Sequence, residues 1–507
     1  MRSLSKYAAG LLALLMTALA AVSCADGTGS ADITTVPEAS AAVTTEAPPE
    51  TDKYEIGDNL PVLNYGGATI NILSRDHDWF RDEIKVDADD GDVVHSAIFK
   101  RNMVVEDRLG VSIENKQVGG DAYQISEDHL RKQMSGGLNE YSLVSCSVYA
   151  SIIHTNENLY YDLKRLEHLD LSRPYWSQGF NEAVEYKGAQ FMATGAALLS
   201  PYRLAFVTFF NREMFDAANT PYPYEAMRNH EWTLDYQYSL VERFYKDVNG
   251  NQKGDADDIF GFMSNNDMIG VDPYWSACDL RILDRNADGE YGYAVDTERL
   301  GLAIDKILHL YYDNPGSWPV PGKSGDGEQK DIAKKFSESG AAMVTLRLIE
   351  VEGEYMKDMK ADRGIVPIPM LDSDQSGYKS YVHDQLTVLA VPNTSKTEEE
   401  LSMLGAVLEA LASESYKYVT PAYYELALKA KYSNDPESIE MLDLITENIF
   451  LDPGVIYTKA IESVHQKLRT CIGAKAKIMT TFKQNKPLTT AIQKLNEGLD
   501  ETIATYS

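Results

Sequence analysis

The twelve residues Asp247-Val-Asn-Gly-Asn-Gln-Lys-Gly-Asp-Ala-Asp-Asp258 carry the clearest chemical spacing in the chain. Oxygen donors at Asp247, Asn249, Asn251, Asp255 and Asp258, with the Lys253 carbonyl between them, fall where a calcium loop takes its ligands. Gln252 stands where such a loop uses glycine, and Asp258 where it uses a bidentate glutamate. The same residues suit a polar turn, because Asn and Gly supply tight backbone geometry. The turn is the reading adopted, and no metal, cofactor or catalytic residue is assigned. The motifs GxSxG, HExxH and the Walker loop do not occur, so hydrolase and nucleotide chemistry have no signature. Two carboxylates across a cleft, as in glycoside hydrolases, need no motif. Among 77 Asp and Glu residues no pair is singled out.

Cysteine chemistry speaks of place. Arg2 and Lys6 precede an apolar stretch from Tyr7 to Val22, and Ala21-Val-Ser-Cys24 looks like a lipobox. Residues 1–23 are therefore predicted to be a lipoprotein signal peptide, with Cys24 the lipidated residue after cleavage. No later stretch approaches the ~20 apolar residues of a membrane span. The expected location is the cell membrane, lipid-anchored on the extracellular face. Residues 24–59 are rich in Thr, Ala, Pro and acid and cannot bury enough apolar surface to fold. As a disordered tether of ~35 residues they would hold the body on the order of 30 Å from its anchor. Cys146, Cys278 and Cys471 are too far apart in sequence to form a framework and are read as small buried hydrophobes.

The elements that must position any site lie in the remainder. Lys plus Arg number 47 against 77 acids in 507 residues, a net charge of −30 that repels phosphate backbones and argues against nucleic acid. With 44% apolar residues the body should fold. Strands are predicted at 68–74, 111–118 and 141–148, separated by helices at 92–109 and 123–136. That β-α-β-α-β order implies a parallel sheet. Further strands are expected at 340–346, 364–369 and 385–391. Thr397-Glu-Glu-Glu400 is a capping box and Asp435-Pro436 a helix start, so the C-terminal region should be helical. Asp284-Arg-Asn-Ala-Asp-Gly289 is expected to form a hairpin turn.

Several of these segments together resemble a known family. Arg101-Asn-Met-Val-Val-Glu-Asp-Arg-Leu-Gly-Val111, Glu231-Trp-Thr-Leu-Asp235, Phe336-Ser-Glu-Ser-Gly-Ala-Ala-Met343, Gly364-Ile-Val-Pro-Ile-Pro369 and Lys431-Tyr-Ser-Asn-Asp435 stand in the order seen in bacterial extracellular solute-binding proteins, family 1, of ABC importers. Ser339 and Arg363 depart from the family's pattern. The resemblance implies an α/β, two-lobed periplasmic-binding-protein-like fold with a hinge, an interlobe ligand cleft and a helical C-terminal extension. It places lobe one at 60–204 plus 345–393 and lobe two at 205–344 plus 394–507. Crossovers would lie near 203–207, 343–347 and 391–394.

For a solute in that cleft, aromatic planes and polar groups at strand ends are the useful residues. Tyr149, Trp176, Tyr274, Trp275, Asp279, Arg347 and His383 are the candidates. The implied partners are a small-molecule solute, an oligosaccharide by preference, and ABC permease subunits, with the protein itself a monomer. The alternatives are a surface polysaccharide-binding adhesion lipoprotein without a transporter and, less favoured, a glycoside hydrolase. The anchor assignment is directly testable. A Cys24→Ser variant is expected to move from the membrane pellet to the soluble fraction or medium on fractionation and immunoblotting; persistence in salt-washed membranes would contradict it.

Overall fold

Ala68–Arg75 buries Ile70 and Ile72 on one face and Leu73 on the other, as a strand covered on both sides must. In the computed structural model, residues 54–119, 125–151, 157–266, 268–320, 326–428 and 436–506 are described. The signal segment, Cys24, the expected tether up to residue 53 and the Asp435 cap lie outside the described residues, and Asp52–Ser507 forms one unit by itself. Residues 54–59 are corrected from tether to part of the fold, because Asp58 is buried and accepts from Arg108 at 2.7 Å.

The strands of that unit are β1 (Ala68–Arg75), β2 (Val111–Val118), β3 (Leu143–Ser147), β4 (Phe206–Asn211), β5 (Phe260–Asn265) and β6 (Leu283–Arg285). They continue with β7 (Tyr291–Tyr293), β8 (Ser317–Val320), β9 (Ala341–Arg347), β10 (Arg363–Val366) and β11 (Thr387–Ala390). Two sheets result, in the orders β11-β3-β1-β2 and β10-β4-β9-β5-β8, and β6 and β7 form a hairpin. β1 pairs in parallel with both β2 and β3, while β11 runs antiparallel to β3.

Helices cover both sheets. α1 (Val93–Leu109) and α2 (Ile125–Ser135) follow the first strands, and Asp92 caps α1 by accepting from the Val94 and His95 amides. α3 (Leu234–Phe244), α4 (Met268–Ala277), α5 (Thr297–Tyr312) and α6 (Asp326–Ser337) flank the second sheet. The C-terminal helices are α7 (Glu398–Leu428), α8 (Pro436–Glu447), α9 (Val464–Leu468), α10 (Cys471–Lys483) and α11 (Lys486–Ala504). α7 opens with its capping box formed: Thr397 N–H donates to Glu400 at 2.7 Å, and Glu400 N–H to Thr397 Oγ1 at 3.1 Å.

Four boundary expectations are corrected. The segment 345–393 divides between the sheets, since β10 pairs antiparallel with β4 and only β11 joins β3. Gly364 makes this possible: a Cβ there would lie 2.1 Å from the Phe210 ring and 2.6 Å from the Tyr224 hydroxyl. Second, α7 belongs with the first sheet, because Leu404, Val407, Leu408 and Leu411 share a core with Ile70, Ile72, Val105 and Leu109. Arg101 fixes that contact, donating to the Ile84 carbonyl at 2.7 Å and to Ser415 Oγ at 2.9 Å from a site where burial pulls its pKa down to about 10. Third, Val391–Thr394 is not a crossover. Pro392 bridges Tyr160, and the Asn393 amide donates to the Leu159 carbonyl at 2.8 Å, so this stretch stays beside the first sheet. Met343–Arg347 likewise lies inside β9, paired with β4 from Phe206 to Phe210.

Among the described residues, two segments that run antiparallel to each other pass between the sheets. Ala205 bridges Val382, the Phe206 amide donates to the Tyr381 carbonyl at 3.0 Å, and the His383 amide to the Leu204 carbonyl at 3.1 Å. Cys146, Cys278 and Cys471 are buried, and burial pushes the Cys278 thiol up to about 12. The 247–258 loop closes on itself: Asp247 accepts from the Gly250 and Gln252 amides, and Asp258 from the Val248 and Asp255 amides.

The packing of α7 can be probed at Gly405, where a Cβ would come within 2.0 Å of the Glu167 carbonyl oxygen. Gly405→Ala is expected to destabilise the fold by about 1–3 kcal/mol through that overlap, read as a lowered urea midpoint at unchanged slope.

Candidate functional site

Parallel strands end where their sheets present unpaired backbone and loops, and ligands of open α/β sheets bind there. The pairing register shows that these ends meet. Arg347, the last residue of β9, pairs with Phe206 at the start of β4. Ser147, the last residue of β3, pairs with Thr387 at the start of β11. The crossing residues 382–386 span the interval between them, so the C-terminal ends of β3 and β9 face one region. Arg75, the end of β1, joins it: its guanidinium donates to Gln385 Oε1 at 3.0 Å and to Thr387 Oγ1 at 2.6 Å.

The loop after β1 is built on that bolt. Arg75 lies 3.6 Å from the Phe80 ring centre, and the fully buried Glu83, pushed up by burial, accepts from the Leu199 and Ser200 amides. Between these anchors sits Trp79, half-buried, with His77 edge-on at 5.4 Å and the Arg347 guanidinium 4.4 Å from its ring centre. Arg347 is itself buried and pairs with Glu350 at 3.1 Å. Arg203, on the first crossing, pairs with Glu352 at 2.7 Å and donates to the Trp79 carbonyl.

On the other flank, Tyr149 follows β3. Its amide donates to the Asp384 carbonyl at 3.2 Å, Lys459 Nζ lies 4.2 Å from its ring centre, and Gln466 donates to its hydroxyl at 3.4 Å. Beneath it is a buried ionic network. Arg469 Nε donates to both Asp272 oxygens at 2.9 Å, and its Nη2 reaches Asp384 at 3.0 Å. His465 Nε2 lies 3.3 Å from Asp272. Burial alone would raise the Asp272 pKa, but Arg469 and His465 overcome it and hold the carboxyl well below its usual range. His383 is buried 3.2 Å from Asp384 and stacks on Phe206, and burial lowers its pKa.

The seven candidate residues thus separate. Tyr149, Arg347 and His383 lie at the meeting of the strand ends. Trp176 does not: its Nε1 donates to the buried Glu409 of α7 at 3.2 Å, and its ring lines a different cavity. Tyr274 and Trp275 are corrected to core residues, 0% and 2% exposed, with Tyr274 packed on Tyr311 at 6.2 Å. α4 is apolar nearly all round, and such a helix is buried on every side, leaving no ring face for a solute. Asp279 sits in a left-handed turn after α4 and is tied to Lys379 rather than set among the strand ends. Cys24 lies outside the described residues. Sequence reasoning passed over Trp79, Asp272 and Arg469 as site residues. The signal for Trp79 was an aromatic within five residues of a buried strand's C-terminal end.

Trp79 and Tyr149, both half-buried, flank the meeting of the strand ends, with the buried Arg347 guanidinium against Trp79 and the Lys459 ammonium against Tyr149. Among the described residues no group of three or more His, Cys, Asp and Glu is placed to hold a metal.

The architecture is the two-lobed periplasmic-binding-protein fold. It is similar to UspC of M. tuberculosis, with a TM-score of 0.54 at 13% identity over 84% of this chain and 100% of that one. It is also similar to maltose-bound MalE3 of T. maritima, with a TM-score of 0.50 at 13% identity over 85% of this chain and 100% of that one. A sugar transporter protein of Rhizobium etli, solved in an open conformation, gives 0.50 at 16% identity over 86% and 99%. No family model matches the chain, and no curated protein matches it by sequence.

The ionic network makes a sharp expectation. Arg469→Ala leaves Asp272 and Asp384 buried without their shared counter-charge and should cost about 3–5 kcal/mol in urea unfolding, part of it recovered when Asp272→Asn is added. Because the Asp272 pKa is depressed on folding, its contribution is complete above the unfolded value of about 3.9 and is lost as pH falls below it. Asp272→Asn should therefore flatten the acid limb of the stability profile below about pH 4, and an unchanged limb would contradict the assignment.

Proposed function

We propose that this chain is the solute-binding receptor of an ABC importer, anchored by lipid at Cys24 on the extracellular face. It captures a carbohydrate between its lobes without altering it and passes it to membrane permeases. The observation that carries this reading is the convergence of Trp79, Arg347 and Tyr149 where the strand ends of two sheets meet across a pair of crossing segments. Sugar rings present C–H faces to aromatic planes and hydroxyls to charged and amide groups, and both kinds of partner are present. The fold supports it, being shared with a maltose-bound protein and a sugar transporter protein. The signal-like N-terminus with its lipobox supports export and anchoring. The family-1 assignment rests on the ordered motifs from Arg101 to Asp435, and a monomer suffices because one chain supplies both lobes.

In this reading the crossing segments 203–206 and 380–384 act as hinges, since a few terminal residues of strands absorb rotation of one lobe against the other. Trp79 is the stacking plane, and Tyr149 with Lys459 meets the solute from the opposite flank. Calorimetry against an oligosaccharide panel tests this. Trp79→Ala is expected to weaken the best ligand by about 1–3 kcal/mol, roughly tenfold to a hundredfold, with the melting temperature nearly unchanged because the ring is half-exposed. Full affinity in Trp79→Ala, or chemical conversion of the bound sugar, would overturn the proposal.

A further inference from the structure

A second cavity, of about 230 Å³, adjoins the crossing segments. Pro201 and Tyr202 in its wall lead into the first crossing, and Ile449 bridges Ser380 of the second. Trp79, Tyr149, Arg347 and Asp384 do not line it, so it is separate from the site between the strand ends.

Its walls are rings. Tyr54, Tyr202, Tyr416 and Tyr424 line it together with the nearly fully buried Tyr175 and Trp176. Tyr54 and Tyr416 stand 5.2 Å apart at 59°, and Tyr202 and Tyr424 6.0 Å apart at 83°, so neighbouring planes are inclined to one another as in a cage. The rings are fixed from behind. Glu409, 0% exposed, accepts the Tyr175 hydroxyl, the Trp176 Nε1 at 3.2 Å and the Asp170 amide at 3.1 Å. The Tyr202 hydroxyl pairs with Thr420 at 3.1 Å and that of Tyr424 with Thr446 at 2.7 Å. With those hydroxyls committed to the protein, the half-exposed rings of Tyr54 and Tyr416 are what remains for recognition. Asp443 and Glu447 of α8 complete the lining, and no Lys, Arg or His is part of it among the described residues.

We propose that this cavity binds a small organic cation, an alkylated ammonium group enclosed by the tyrosine rings with the Asp443 and Glu447 carboxylates at its edge. Aromatic faces attract such cations through their quadrupole, most strongly where water is excluded. A net charge of −30 draws a cation towards an acidic recess and gives a neutral polyol no such advantage. The volume equals the liquid share of about seven or eight waters, the size of a molecule with a comparable number of heavy atoms. A ligand there would touch residues of the first lobe together with α7 and α8 beside the hinge, so its occupancy is coupled to the angle between lobes.

Choline and its uncharged isostere 3,3-dimethylbutan-1-ol, titrated into the intact protein by calorimetry, test the proposal. Choline is expected to bind saturably at one site, and the isostere roughly fivefold to thirtyfold more weakly, the range of a cation–π contribution. Tyr416→Ala should weaken choline by a similar factor, Tyr416→Phe should keep the affinity, and Glu447→Gln should weaken it less. Melting curves establish that each variant is folded. Equal affinity for the two compounds, no saturable binding of choline, or an unaffected folded Tyr416→Ala would overturn the assignment.

Discussion

Arg469 holds two carboxylates that belong to different parts of the molecule. Asp272 lies on α4 against the second sheet, and Asp384 lies on the second crossing just before β11 of the first. Both acids and the guanidinium are largely removed from water, so none can lose its partner without leaving an uncompensated charge in a low dielectric. The pair therefore fixes where α9 and the C-terminal helices sit relative to the strand ends. His465 on α9 reinforces Asp272, and Gln466 from the same helix reaches Tyr149 beyond β3. A few side chains thus carry the electrostatic connection between the lobes, beside a hydrophobic cluster that itself runs from Leu73 and Val144 to Phe206 and Val344.

Such a connection suits a molecule whose lobes move. Packed cores are bistable rather than continuously deformable, so motion concentrates where the chain crosses. Here the crossings among the described residues are two short antiparallel segments joined by backbone hydrogen bonds at Ala205–Phe206 and Tyr381–His383. A solute shifts the balance between open and closed forms only through contacts it makes better in one of them. Trp79 and Arg347 come from the ends of strands in different sheets, so a ligand touching both favours the form that brings those strands together.

Much of the framework was legible in the sequence, and the failures have physical causes. The alternation from Ala68 to Ser74, the helical spacing from Asp92 with its stop at Gly110, and the run from Val111 to Val118 are local signals, and each formed the element expected. The capping box at Thr397 also closed as expected. Sheet membership is not a local property. Gly364–Pro369 reads as a strand from its own residues, but its place beside β4 depends on Phe210 and Tyr224 occupying the space left by Gly364. α7 reads as a helix, whereas its alliance with α1 depends on Arg101 and on Gly405 meeting Glu167. The site shows the same division. Tyr274 and Trp275 drew attention as adjacent aromatics, yet α4 is buried nearly all round and turns them inwards. Trp79 stands among charged residues in a loop, and only the three-dimensional approach of Arg347 gives it a role.

The central claim is that solute draws two lobes together about these crossings. Spin labels at Lys116→Cys on β2 and Leu302→Cys on α5 report it directly, since both positions are exposed and the remaining cysteines of the described residues are buried. Electron–electron double resonance should give a distribution that becomes shorter and narrower at saturating oligosaccharide. An identical distribution with and without a sugar that calorimetry shows to be bound would contradict the account.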